Sequence, residues 1–234
     1  MMDWEKKDTI KQMANDDDGS LPRVLILGDS ISLGYTPLVV EKMKGKAFAT
    51  RPACNCGPSE FYLRSRGNIG KWLGEKPWDV IHVNFGIWDH HFINEKEEIF
   101  FYDQHAAELD GLDSPARIKL IESKGFHTRT SPAEYAENTR NILLDLKEHG
   151  RKVIFALSTP LPSYEERYFG MDCIAEYNDI AVKVCKEIDI PVNDLYSVAK
   201  PLREDQKDGC HFSNYGYNIL ADAVVKIITT YLAF

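Results

Sequence analysis

Ser30, Asp208 and His211 are the residues of this 234-residue chain whose types and spacing could activate a hydroxyl. Ser30 closes the run Gly28-Asp29-Ser30, which directly follows the apolar stretch Val24 to Leu27. A serine hydroxyl is a poor nucleophile at neutral pH unless a base lies within hydrogen-bond reach and a further group orients that base. Asp208 and His211 stand three residues apart in Asp208-Gly209-Cys210-His211 near the other end of the chain. On one turn, the acid can take the proton of one imidazole nitrogen and leave the second facing the serine, which is the logic of a serine, histidine and acid triad. A serine at a strand-to-helix corner also serves as a plain helix cap, and that reading stays open here. Gly28 and Gly34 match neither a dinucleotide fingerprint nor a P-loop, and no G-x-S-x-G surrounds Ser30, so the α/β-hydrolase elbow is absent.

Apolar runs alternating with helical patterns must bring these residues together. Val24 to Leu27, Asp79 to Phe85 and Lys152 to Leu157 read as buried strands, with shorter ones from Lys46 to Thr50 and from Ile190 to Val192. Helices are expected from Ile31 to Met43, with Pro37 suggesting a break or a late start, from Glu60 to Leu73, from Asp172 to Ile188 and from Asn214 to Tyr231. The clearest runs from Pro132 to His149, where Ser131 can cap, Pro132 suits the first turn, Glu134 completes a capping box and Gly150 stops the helix. The pattern predicts a three-layer α/β/α sandwich, flavodoxin-like, with about five parallel strands. Ligands in such sheets bind at the carboxyl ends of the strands, where Ser30 and the 208–211 turn both fall. Residues 1–20 read as a polar extension, a loose helix or tail, and 21–234 as one domain. A segment at about 90–130 is an insertion over the ligand edge, with a lid, a substrate wall and a dimer contact as its candidate roles; 114–124 within it has helical character.

Composition narrows the partners. A net charge of −8 repels phosphate backbones, which argues against nucleic acid. No apolar run approaches the roughly 18 residues that span a bilayer, and the polar start lacks the apolar centre of a secretory signal. The expectation is a cytoplasmic protein, or a secreted or periplasmic one whose leader has been removed. The five cysteines are an odd number and Cys54-x-Cys56 lacks metal or redox spacing, so reduced and mostly buried thiols are expected. His82, mid-strand, reads as a buried hydrogen-bonded histidine. No metal and no cofactor is expected.

Four blocks in order carry a resemblance: Gly28-Asp29-Ser30-Ile31, Asn55-Cys56-Gly57-Pro58-Ser59, Gly86-Ile87-Trp88-Asp89 and Asp208-Gly209-Cys210-His211. Together they resemble the SGNH (GDSL-type) hydrolases over about residues 22–230. The resemblance implies a flavodoxin-like fold and metal-free hydrolysis of esters or thioesters, often acetyl esters on carbohydrates. It makes Ser30 the nucleophile, His211 the base, Asp208 its orienting acid, and the N–H groups of Ser30 and Gly57 oxyanion donors. The third block departs from the family's Gly-x-Asn-Asp: Trp88 stands where the third oxyanion donor belongs, with Asn84 and Asn55 as candidate substitutes. Removing one such donor lowers the rate on the order of 10²–10³.

Trp88 and His90 are expected to line the substrate pocket, since aromatic faces stack on sugars and also line acyl sites. The reading is a serine esterase that hydrolyses a small acyl ester, acetyl by expectation, on a carbohydrate or small soluble alcohol. The oligomeric state is left open. The rivals are a lipase or thioesterase for longer acyl chains, and a binding module of the same fold with impaired chemistry.

Overall fold

The computed structural model describes residues 13–14, 19–64, 72–161, 173–206 and 208–232. In chain order the elements are β1 (Met13–Ala14), β2 (Arg23–Leu27), α1 (Ser30–Met43), β3 (Phe48–Arg51), α2 (Ser59–Arg64), β4 (Trp78–Val83), β5 (Phe92–Ile93), α3 (Ala106–Leu109), α4 (Ser114–Ser123), β6 (His127–Thr128), α5 (Pro132–Lys147), β7 (Gly150–Ala156), α6 (Cys173–Glu187), β8 (Val192–Asn193), α7 (Leu195–Ala199) and α8 (Asn214–Tyr231). Short 3-10 turns occupy Tyr102–Gln104 and Lys200–Asp205.

The main sheet has the order β1-β3-β2-β4-β7-β8. Strands β3, β2, β4, β7 and β8 are parallel, as expected, and their order is the flavodoxin-like one. The chain reverses its direction of sheet growth between β2 and β4, so the carboxyl ends of these two strands flank the crevice where such folds hold ligands. The expected tail differs in one respect: Met13–Ala14 pairs antiparallel with β3, Met13 opposite Arg51, and extends that edge. The rest of the expected extension, except residues 19 and 20, lies outside the described residues.

Alternation along β2 sends side chains to two cores. Leu25 and Leu27 pack with Ile81, Val83 and Phe155 beneath α5 and α6, which supply Leu143, Leu146 and Ala181. Val24 and Ile26 pack on the opposite face against Tyr35 and Val39 of α1 and Leu220, Val224 and Ile228 of α8. Helix α5 forms as the sequence predicts: Ser131 Oγ accepts from Glu134 N at 3.3 Å, and Glu134 Oε2 accepts from Ser131 N at 2.9 Å.

Two expectations shift. Helix α1 continues through Pro37 without a break, because that ring is exposed while Ile31, Tyr35, Val39 and Met43 hold the buried face. Gly150 opens β7 rather than merely stopping α5. Helix α2 is described only as far as Arg64; 65–71, and with them part of the helix expected to reach Leu73, lie outside the described residues. The insertion has a core of its own, formed by Phe92, Phe100, Tyr102, Leu109 and Ile121, and is tied at its base by the antiparallel pair β5–β6. Its expected helix is α4, N-capped by Asp113, whose Oδ1 accepts from Ala116 N at 2.9 Å.

Candidate active site

The first βα corner settles what caps α1. Asp29, not Ser30, is the N-cap, its Oδ1 accepting from Ile31 N at 3.0 Å. Ser30 is therefore the first residue of the helix, and its hydroxyl is free to face outward. Its N–H is among the first-turn amides that no intrahelical carbonyl reaches. Burial raises the Asp29 carboxyl to about 6, against the opposing pull of the Ile31 and Ser32 amides and of Arg51.

The C-terminal turn delivers the imidazole. Asp208 Oδ1 accepts from Cys210 N at 3.0 Å and from His211 N at 2.7 Å, so the carboxylate folds its own turn. Its other oxygen, Oδ2, lies 2.7 Å from His211 Nδ1. His211 Nε2 then stands 2.8 Å from Ser30 Oγ, across 181 residues of sequence. The proton on Nδ1 belongs to the Asp208 contact, which leaves Nε2 to accept from the serine hydroxyl. Partial burial raises the Asp208 carboxyl, but hydrogen bonds from His211 and Cys210 outweigh it and hold the group at about 2. The carboxylate is ionised throughout the range in which a histidine base operates.

Two side chains that sequence reasoning overlooked fix this turn. Asp205 accepts from Ser213 N, Ser213 Oγ and Gly216 N at 3.0, 2.5 and 3.0 Å, closing the start of α8. Gln206 Nε2 donates to Pro160 O at 2.8 Å and to Cys210 O at 3.1 Å, tying the turn to the loop after β7. No short motif marks them; both precede the block that carries the resemblance.

The second block lies against the first. Cys56 N donates to Gly28 O at 3.1 Å, which docks the 54–57 loop on the serine corner. Gly57 has φ +67°, a conformation that favours glycine, and its N–H donates to Asn55 Oδ1 at 2.9 Å. Asn55 thus meets Gly57 as an acceptor. Asn84 is buried and its Nδ2 donates to Ala156 O at 2.8 Å, so one of its two amide protons is engaged across the sheet.

The third block is structural at Asp89. This fully buried carboxylate accepts from Ser59 N at 3.0 and 3.1 Å and from Ser59 Oγ at 2.5 Å. Asn138 Nδ2 donates to the same Ser59 hydroxyl at 2.9 Å, so blocks two and three and helix α5 meet at one serine. Burial pushes Asp89 up to about 6 despite the Ser59 bonds. Trp88 is partly exposed, its ring 5.6 Å from that of His91. His90, expected to line the pocket, is 7% exposed, and its ring packs against Tyr177 and His91.

His82 lies in the core as expected, its Nε2 accepting from Asn193 Nδ2 at 3.1 Å, and burial lowers it to about 3. Cys54, Cys56, Cys185 and Cys210 are free thiols. Among the described residues no three His, Cys, Asp or Glu side chains are grouped to hold a metal ion, and no helix is long and apolar enough to cross a membrane.

Comparison with known proteins bears on fold first. No family model matches the chain. In sequence it is 28% identical over 145 residues to the GDSL esterase/lipase WDL1 of Oryza sativa subsp. japonica, a match covering 50% of this chain and 55% of that protein. The matched stretch spans little more than half the length of that curated relative. Among solved structures it is similar to the lipase/acylhydrolase from Enterococcus faecalis, with TM-score 0.61, 19% identity, 91% of this chain and 98% of that one. It is similar to Axe2, an acetylxylan esterase from Geobacillus stearothermophilus, with TM-score 0.61, 15% identity, 88% and 94% covered. A member of the lipolytic G-D-S-L family from Veillonella parvula gives TM-score 0.53 at 15% identity, 88% and 98% covered.

The fold is therefore that of the GDSL-type, or SGNH, hydrolases, and the resemblance carried by the four blocks stands.

Proposed function

We propose that this chain is a carboxylic ester hydrolase of the GDSL type that works through a covalent acyl-enzyme, with Ser30 as nucleophile, His211 as general base and Asp208 as its orienting acid. The observation that carries the reading is the unbroken line from Asp208 Oδ2 to His211 Nδ1, 2.7 Å, and from His211 Nε2 to Ser30 Oγ, 2.8 Å. The GDSL names of similar proteins support the same class.

In the acylation step Ser30 Oγ adds to the ester carbonyl carbon as its proton passes to His211 Nε2. The imidazolium so formed is stabilised by the ionised Asp208. Charge that develops on the carbonyl oxygen is received by the outward N–H of Ser30 and by the N–H of Gly57, which exchanges its Asn55 partner for the oxyanion. The remaining amide proton of Asn84 is the candidate third donor. The tetrahedral adduct collapses, and His211 protonates the departing alcohol. Water then repeats the sequence on the acyl-enzyme, giving the carboxylic acid and free Ser30.

A small acyl group, acetyl in particular, on a carbohydrate is the substrate we favour. The structural likeness to an acetylxylan esterase supports it. Partly exposed Trp88, beside the third block, offers an aromatic face of the kind that stacks on sugar rings. The test is labelling by a fluorophosphonate probe together with turnover of a chain-length series of p-nitrophenyl esters. Labelling that vanishes in Ser30→Ala, with acetate the preferred acyl group, is expected. A preference for long chains would replace the acetyl assignment with a lipase or thioesterase, and no labelling and no turnover would leave only a binding module.

A further inference from the structure

Arg51, the last residue of β3, has no exposed surface. A guanidinium keeps its charge at any working pH, and taking it out of water is unfavourable unless its donors are met. No carboxylate among the described residues forms an ion pair with it. Its N–H groups instead go to backbone and hydroxyl oxygens: Nε donates to Pro52 O at 2.8 Å, Nη2 to Gly28 O at 3.1 Å and Cys54 O at 3.0 Å, and Nη1 to Ser32 Oγ at 2.6 Å. Its charge is felt by the buried Asp29 carboxyl, but its hydrogen bonds all go to neutral acceptors, so the segments it joins are informative.

Those segments are the two that present the oxyanion donors. Ser32 Oγ passes the contact on, donating to Asp29 O at 2.7 Å. The carbonyl of Asp29 and the N–H of Ser30 belong to one planar peptide unit, so fixing the oxygen fixes the direction of the N–H. Hydrogen bonds in such a chain polarise one another, which also makes that N–H a better donor. On the other side, the Cys54 carbonyl anchors the loop that runs on to Asn55, Cys56 and Gly57. Gly28 O accepts both from Arg51 and from Cys56 N, so it is the common point of the two segments. Gly28 also leaves room for this arrangement, because a Cβ there would stand 2.7 Å from Ser32 Oγ.

We infer that Arg51 is a positioning residue for ester hydrolysis: through Ser32 it aims the Ser30 N–H, and through the Gly28 and Cys54 carbonyls it sets the Gly57 N–H opposite. This rests on the reading of Ser30 as nucleophile. The guanidinium touches neither substrate nor reacting atoms. Its planar fork spans four acceptors at once, which the ammonium of lysine cannot reproduce.

The experiment compares wild type, Arg51→Lys and Ser32→Ala in p-nitrophenyl acetate kinetics, thermal melting and amide NMR of Ser30 and Gly57. A misaimed donor acts in the transition state, so kcat in Arg51→Lys is expected to fall about 100-fold while KM changes by less than about threefold. Ser32→Ala, which keeps the charge and breaks only the relay, is expected to lower kcat about tenfold and to move the Ser30 amide resonance. Unchanged kcat in both variants would overturn the inference. So would an Arg51→Lys protein with lowered melting or no folded state at all, combined with a Ser32→Ala protein of wild-type kcat, since Arg51 would then be structural only. Wild type without any ester turnover would sink the esterase reading instead, and the amide resonances would still decide: movement in the variants supports the positioning role, and unmoved resonances refute it.

Discussion

Asp208→Asn separates the carboxylate's two duties, folding the turn and setting the imidazole tautomer. Its Oδ1 accepts the Cys210 and His211 amides, and an asparagine oxygen can keep both bonds. The other atom becomes an NH₂ group facing His211 Nδ1, at the place where an oxygen now stands 2.7 Å away. Two donors cannot face each other, so the ring must carry its proton on Nε2. It then cannot accept from Ser30 Oγ, 2.8 Å off. The imidazolium formed during acylation also loses its counter-charge. Together these effects are expected to lower kcat by about 10³–10⁴ with KM little changed, as for triad acids elsewhere. Pre-steady-state release of p-nitrophenol, with far-UV circular dichroism to verify the fold, measures it. A variant that keeps the fold and loses less than about tenfold would refute the tautomer argument and remove Asp208 from the chemistry.

Two further outcomes concern stability. His82 and His91 are held at about 3 by burial, well below their unfolded values, so acid favours the unfolded chain from about pH 6.5 downward. Asp29 and Asp89 are raised to about 6, so between that pH and about 4 the folded chain takes up protons the unfolded one does not, which opposes the loss. Urea unfolding should therefore show stability falling just below pH 6.5, levelling from about pH 6 to 4, and falling again; a steady rise on acidification would contradict both histidines. Gly34→Ala places a Cβ inside the ring of Tyr217, where α1 meets α8, and is expected to destabilise by about 1–3 kcal/mol in the same assay. Wild-type stability in that variant would mean that Tyr217 swings aside freely.

The three-layer plan was legible because its signals are local. The unbroken apolar run Val24 to Leu27 and the Ser131–Glu134 box each specify an element without help from the rest of the chain. The contact of Asp208, His211 and Ser30 was legible for a related reason: Asp208 and His211 share one turn, and the strand order brings that turn to Ser30. What escaped the sequence depends on long-range contact. Pro37 reads as a helix breaker until α1 is seen to turn that ring to solvent. Arg51 carries no mark in the sequence, and its burial follows from its contacts with Gly28, Ser32, Pro52 and Cys54. His90 is named for the pocket wall from its place beside Asp89, and its packing on Tyr177 of α6 is not visible in the sequence. Asn55 and Asn84 could be named as amides near the site, but the acceptor or donor role of each follows from Gly57 and from Ala156.

The strands at the foot of the insertion have an evolutionary corollary. Thr130 N donates to Asp89 O at 3.0 Å and Arg129 N to His91 O at 2.8 Å, so the two ends of this forty-residue excursion are already neighbours. Its apolar residues bury one another instead of filling the sheet's cores. Such a segment behaves like an interchangeable attachment: it could be shortened to a tight turn, or traded for a different one, while Ser30 and His211 keep their places. On the proposed esterase reading, preference among alcohols or acyl groups could then drift across descendants of this scaffold without any change to the Asp208–His211–Ser30 line.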